Sequence, residues 1–336
     1  MHQGWICPIC DRFVELWIAG RIALAPSLIA VICHELNAAS NADASRSGRP
    51  GMSLRDVLVF LDTRAASEER LRLALRLAEQ HRACLSAVFL EDDYIGELPS
   101  GLSIPRIALM AGTAVPVAGQ PPHAAIDAEA AAQTFRKRFC SSKVAGEWHS
   151  LNQPRIAELV RLARTADLVV MGQINPHIRG EAKYRPEEII AACGRPVLMV
   201  PYIGSFDHVG RRVMVAWDGS REATRAVNDA LPVIDTADAV TVLTVRDHAK
   251  TAEERLKREN DRIVKHLAQH GVTARVEETL RGSNTVYDVL LSRVADYSID
   301  LMVAGATLHS RLRDVLVGSV SRGLFNHMTV PVLMSH

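Results

Sequence analysis

Apolar and polar positions follow two rhythms along this chain. Short runs are apolar at every position, such as LVV at 168–170 and VLMV at 197–200, and longer stretches between them carry apolar residues every three or four positions. An unbroken apolar run marks a strand covered on both faces, as in a parallel sheet flanked by helices, and the longer period marks amphipathic helices. The two alternate past residue 52, so right-handed crossovers predict doubly wound α/β sheets.

The pattern also repeats. DVLVFLDTRAASEERLRLALRLAEQ (56–80) parallels RVMVAWDGSREATRAVNDALPVI (212–234), each a short strand ending in Asp and leading into a helix. ACLSAVFLEDD (83–93) parallels AVTVLTVRD (239–247), and IAELVRLARTADLVVMG (156–172) parallels YDVLLSRVADYSIDLMVAG (287–305). GRPVLMVP (194–201) parallels TVPVLMS (329–335), giving four matched blocks in one order. Two domains follow, 52–205 and 206–336. Asp218-Gly219-Ser220 supplies caps for the helix that begins at Arg221, and Asn284 is the expected cap for the helix over 285–298. KTAEERLKRENDRIVKHLAQH predicts a long helix with Leu256, Ile263, Val264 and Leu267 on its inner face, a solvated charged face and a stop at Gly271. The proline-rich stretch 94–125 reads as a long loop.

Composition narrows the function classes. With 39 basic and 38 acidic side chains the net charge is +1, which gives no broad field for nucleic acid or an anionic membrane. Six scattered cysteines suit a reducing cytoplasm rather than a disulfide framework. Residues 1–51 differ from the rest. The apolar stretch 13–33 is broken by Glu15, Arg21 and Pro26, which argues against a bilayer span or signal peptide. The segment reads as an appendage, disordered or added by an over-long gene model with its natural start at Met52. Cys7, Cys10, Cys33 and His34 within it are zinc-ligand types, but their spacing fits no common finger.

The candidate chemistry sits near the carboxyl end, in GATLHSRLRDVLVGSV (305–320). A glycine closes an apolar strand, a basic stretch His309-Ser310-Arg311-Leu312-Arg313 follows, and Gly318-Ser319 opens a helix. Helix starts of this kind hold phosphate through free backbone N–H groups. Together with MVAWDGSREATRAVNDALP and VTVLTVRD, this stretch resembles the universal stress protein family, particularly bacterial members with two fused domains, over about residues 54–336. The resemblance implies a five-stranded parallel, Rossmann-like sheet per domain, paired within the chain or as a dimer. It further implies an ATP grip of the form Gly-x2-Gly-x9-Gly-Ser/Thr; Asp218 and Asp247, at strand ends where aspartate also serves as a turn or cap former, are the candidates to meet Mg²⁺ through the ATP. That pattern falls on Gly305, Leu308, Gly318 and Ser319, with Asp218 reaching the adenosine part and the Val245 backbone meeting adenine.

Leu308 departs from the pattern, since a glycine there would permit positive φ and backbone contact with a phosphate oxygen. If the loop is left-handed, leucine costs about 1 kcal/mol or more, which His309, Ser310 and Arg311 would offset as phosphate ligands. The first repeat keeps Asp62 and Gly172 but has Thr63 after the aspartate and no further glycines at the family spacing, so it reads as a structural partner. No Walker loop, GxGxxG, GxSxG or HExxH is present, and no nucleophile–base couple emerges. A dedicated enzyme is therefore not expected, although slow ATP hydrolysis or self-phosphorylation at Ser319 or Ser321 remains compatible. The alternative function is an interaction module with spent sites, working through edges such as the terminal VPVLM.

Overall fold

The computed structural model describes residues 53–91, 94–97, 103–105, 123–152, 154–174, 185–246, 253–311 and 314–336. The expected features of the amino-terminal segment, including Cys7, Cys10, Cys33 and His34, and Asp247 lie outside these.

The first half contributes β1 (Asp56–Leu61), α1 (Ala66–His81), β2 (Cys84–Glu91), a short antiparallel pair β3 (Tyr94–Glu97) and β4 (Ser103–Pro105), and α2 (His123–Ser141). It continues through β5 (Gly146–Asn152), α3 (Ile156–Thr165), β6 (Leu168–Gly172), α4 (Pro186–Cys193) and β7 (Val197–Val200). The second half begins with β8 (Arg212–Ala216), α5 (Arg221–Ile234), β9 (Ala239–Arg246), α6 (Glu253–Gln269) and β10 (Ala274–Leu280). It ends with α7 (Val286–Asp296), β11 (Leu301–Gly305), a hairpin of β12 (Leu308–Arg311) and β13 (Asp314–Val317), α8 (Ser319–His327) and β14 (Val332–Ser335).

Ten strands form one sheet in the order β10-β9-β8-β11-β14-β7-β6-β1-β2-β5. Each half supplies five of them in the same order, and every pairing within a half is parallel. The halves meet where β14 pairs antiparallel with β7, Leu333 opposite Leu198. The terminal apolar strand thus pairs with its sister half. Because that join is antiparallel, the carboxyl edge of one half lies beside the amino edge of the other.

The predicted alternation of strand and helix holds for the ten-stranded sheet within each half, with the pairs β3–β4 (inside the expected loop 94–125) and β12–β13 added, and the inner strands β1, β6, β7, β8, β11 and β14 are almost wholly buried. Two helical layers cover the sheet. One apolar cluster joins α1, α2, α5 and α6 to one face, and the other joins α3, α4, α7 and α8 to the opposite face. Local chemistry sets the helix starts. The Ser220 hydroxyl accepts from the Ala223 N–H at the start of α5. At α7 the cap is Thr285 rather than the expected Asn284, because Asp288 completes a capping box with it.

Candidate functional site

Ligands of open α/β sheets bind beyond the carboxyl ends of the strands, where strand order reverses. In the second half that point lies between β8 and β11. Ala216 is in register with Ala304 on one side and Leu243 on the other, so Asp218, Val245 and Gly305 arrive at one edge of the sheet together. Asp218 is exposed, and its Oδ1 accepts from the Ser220 N–H at 2.9 Å. Gly219 follows at φ +75°, and a Cβ there would come 3.1 Å from Glu259 Oε2 of α6.

Gly305 has a packing reason of its own. A Cβ on it would meet Ala223 N at 2.5 Å and Glu222 C at 2.6 Å, so its bareness lets α5 lie directly on β11. Gly318 precedes α8 at φ −59° and ψ 155°, and a Cβ there would lie 3.1 Å from Thr307 Cβ. The Gly318 N–H donates to the Thr307 carbonyl at 2.9 Å, and the Thr307 N–H donates to the Ser321 hydroxyl at 3.2 Å. These bonds pin the first turn of α8 to the end of β11. Among the described residues no side chain caps that turn, and Ser319 at its first position is exposed. Ser321 is 2% exposed and serves as the acceptor for Thr307, so its place is structural.

Between Gly305 and Gly318 the chain differs from the expected phosphate loop. Leu308, His309 and Ser310 lie in β12, opposite Val317, Leu316 and Val315 of β13. Leu308 is extended and is not among the residues with positive φ, so the left-handed penalty does not arise. The hairpin backbone lies against α4 of the first half. The stretch expected to wrap a phosphate therefore joins the two halves.

The first half brings Asp62 and Gly172 to the matching edge, but an arginine fills the space beside them. Arg70, 3% exposed, donates to the Phe60 carbonyl at 2.7 Å and to Asp62 Oδ2 at 3.3 Å. A Cβ on Gly172 would sit 1.9 Å from its Nη2. Asp62 also accepts from the Ser67 hydroxyl at 2.8 Å and the Arg64 N–H at 2.9 Å. Burial pushes the Asp62 carboxyl up, but Arg70, Arg64 and these hydrogen bonds outweigh it and hold the group below its ordinary value.

Sequence reading missed a buried polar chain under α6. The Thr244 hydroxyl donates to Asn260 Oδ1 at 3.1 Å, Asn260 Nδ2 donates to Glu278 at 3.0 Å, and Glu278 pairs with Arg246 at 3.3 Å. The signal was Asn260 itself, a polar residue in the apolar stripe that Leu256, Ile263 and Leu267 define. The chain ends on Arg246, the neighbour of Val245. A cleft of about 940 Å³ lies at the opposite, amino-terminal edge of the second half's strands, between α1 and the linker 206–211. It is remote from the glycines.

A fold repeated across one sheet, each copy with an aspartate and a glycine at its carboxyl edge, defines a doubled Rossmann-like protein. Residues 210–336 match the model of the Universal stress protein family. Over 83% of its length the chain is similar in fold to a universal stress protein from Archaeoglobus fulgidus, with a TM-score of 0.54, 17% identity and cover of 97% of that chain. A putative universal stress protein from Pseudomonas aeruginosa is similar at a TM-score of 0.51 and 14% identity, over 84% and 93% of the two chains. No curated protein matches the chain. Among the described residues, no helix is long and apolar enough to cross a membrane.

Proposed function

We propose that the second half binds an adenine nucleotide, ATP by the habit of its family, and that the chain is a stress-response binding protein rather than a dedicated enzyme. The start of α8 carries this reading. It is an uncapped helix terminus, pinned through Thr307 to the end of β11, and it holds a glycine where a Cβ would press on Thr307. Free N–H groups and the helix dipole there favour phosphate oxygens, and the exposed Ser319 hydroxyl adds a donor. Asp218 and the Val245 backbone, level with Gly305, supply the nucleoside end. Residues 308–310 flank the phosphates from the hairpin instead of wrapping them. Bound nucleotide then acts as a signal that favours one stance of the hairpin and α8.

Calorimetry with ATP and Mg²⁺ on the full chain tests this, beside Gly318→Ala. Micromolar binding that the alanine weakens about fivefold or more supports the site, since about 1 kcal/mol is fivefold in affinity. The hairpin docked on α4 favours a second reading, an interaction module whose phosphate stretch has become a joint between halves. Absence of ATP binding by the parent chain selects that reading.

A further inference from the structure

Gln173 follows Gly172 at the carboxyl edge of the first half and is 3% exposed. Its Nε2 donates 2.9 Å to the Phe325 carbonyl, and its Oε1 accepts from the Tyr202 N–H at 3.3 Å. Phe325 lies in the last turn of α8, where helix carbonyls lack intrahelical donors. The amide of one half thus caps the helix of the other, a contact that the antiparallel join of β7 and β14 makes possible. The matching position in the second half is Ala306, which has no group to return the favour. A different bond crosses the joint in that direction, from Arg225 of α5 to the Gly194 carbonyl that ends α4, at 2.9 Å.

The two ends of α8 therefore have different partners. Its start is held by Thr307 and left open to a ligand, and its end is held by Gln173. A nine-residue helix moves as a rigid rod, so an anchor at its end constrains the placement of its start. We propose that Gln173 is a positioning residue for the second half's nucleotide site, fixing α8 from the first half so that the N–H groups at Ser319 meet phosphate. The first half then contributes to ligand affinity while holding no ligand itself. This inference rests on the nucleotide reading above.

The experiment compares ATP and adenosine binding to the full chain by calorimetry, for the parent, Gln173→Met and Arg225→Ala. Methionine keeps the volume of Gln173 without its amide, and Arg225→Ala weakens the same joint without touching α8. The expected result is ATP binding weakened roughly fivefold in Gln173→Met, within the range found for residues that act between sites, with adenosine affinity unchanged and Arg225→Ala like the parent. A merely structural role would not single out the phosphates. Unchanged ATP affinity in a folded Gln173→Met chain overturns the proposal. So does an equal loss for both ligands in both variants, which would mark general loosening of the joint. If the parent prefers ATP to adenosine by nothing, the nucleotide reading itself fails and the proposal goes with it.

Discussion

At the carboxyl ends of β1 and β8 the same residue meets two environments. Asp62 is enclosed by Arg70, Arg64 and Ser67, whereas Asp218 is exposed and among the described residues bonds only to its own turn at Ser220. The difference traces to one position, because alignment of the two aspartates carries Arg70 onto Ala226. With alanine there, α5 settles onto Gly305. With arginine, a guanidinium stands between α1 and Gly172. The outer strands diverge too. Phe89, stacked on Trp148 at 6.3 Å and tilted against Phe135 at 6.2 Å, occupies the place of Thr244 and its polar chain through Asn260. One half satisfies its edge internally, and the other leaves polar groups at its edge for something else to meet.

The largest test of this contrast is removal of the enclosed cation. Arg70→Met leaves a carboxylate that is 14% exposed without its main partner. Breaking one side of a buried pair costs about 3–5 kcal/mol, so the thermal midpoint should fall by many degrees. Asp218→Ala should cost under about 1 kcal/mol, as expected for an exposed group. Adding Asp62→Asn to Arg70→Met should recover part of the loss. Equal effects at the two aspartates would erase the distinction between the halves.

Next in size is Gly305→Ala. Its Cβ would strike α5 backbone at 2.5 Å, and backbone cannot swing aside, so about 1–3 kcal/mol of stability should go with that overpacking. Chemical denaturation gives the value directly. A neutral result would mean that α5 rides higher on the sheet and that Gly305 is kept for a ligand alone.

A smaller asymmetry appears with acid. His81 ends α1, its Nε2 is buried without a hydrogen-bond partner among the described residues, and Ala237 holds the matching place in the second half. Burial holds its imidazole below the ordinary value of 6.5, with Asp235 pulling partly the other way. The unfolded chain therefore takes up that proton first. Stability falls as pH drops through about 6.5 and levels off below the folded value. His81→Gln should flatten this limb of a stability–pH curve, and an unchanged slope would place the acid sensitivity elsewhere.

Much of the fold was legible because strands buried on both faces read as unbroken apolar runs, and the twofold repeat of four blocks is visible in the chain. The aspartates and Gly305 were legible for a similar reason, since they end such runs. The hairpin was not. Leu308 and the run DVLV at 314–317 are apolar residues flanking a polar turn, a hairpin's own pattern, but the glycine spacing suggested a loop. The join itself left a trace in the apolar terminal VPVLM, which pairs with β7, but the side-chain contacts between halves left none. Gln173 caps Phe325 across 152 residues, and nothing beside it in the chain marks it as a cap.

Leu308→Gly gives the smallest effect and separates the two descriptions of 305–318. A left-handed loop at this position would gain about 1 kcal/mol from glycine and with it about fivefold in ATP affinity. In β12, Leu308 is extended and opposite Val317, so glycine removes strand propensity and adds chain freedom. The expected outcome is ATP affinity within about twofold of the parent, with stability lower by about 0.5–1 kcal/mol. The pair of signs carries the information. Stability should drop while affinity holds, because the hairpin lies against α4 and, on the proposed reading, phosphate meets the start of α8 rather than the hairpin backbone. A rise in affinity would show that ligand draws the chain out of the hairpin and into a loop, and that the joint with α4 gives way when nucleotide binds.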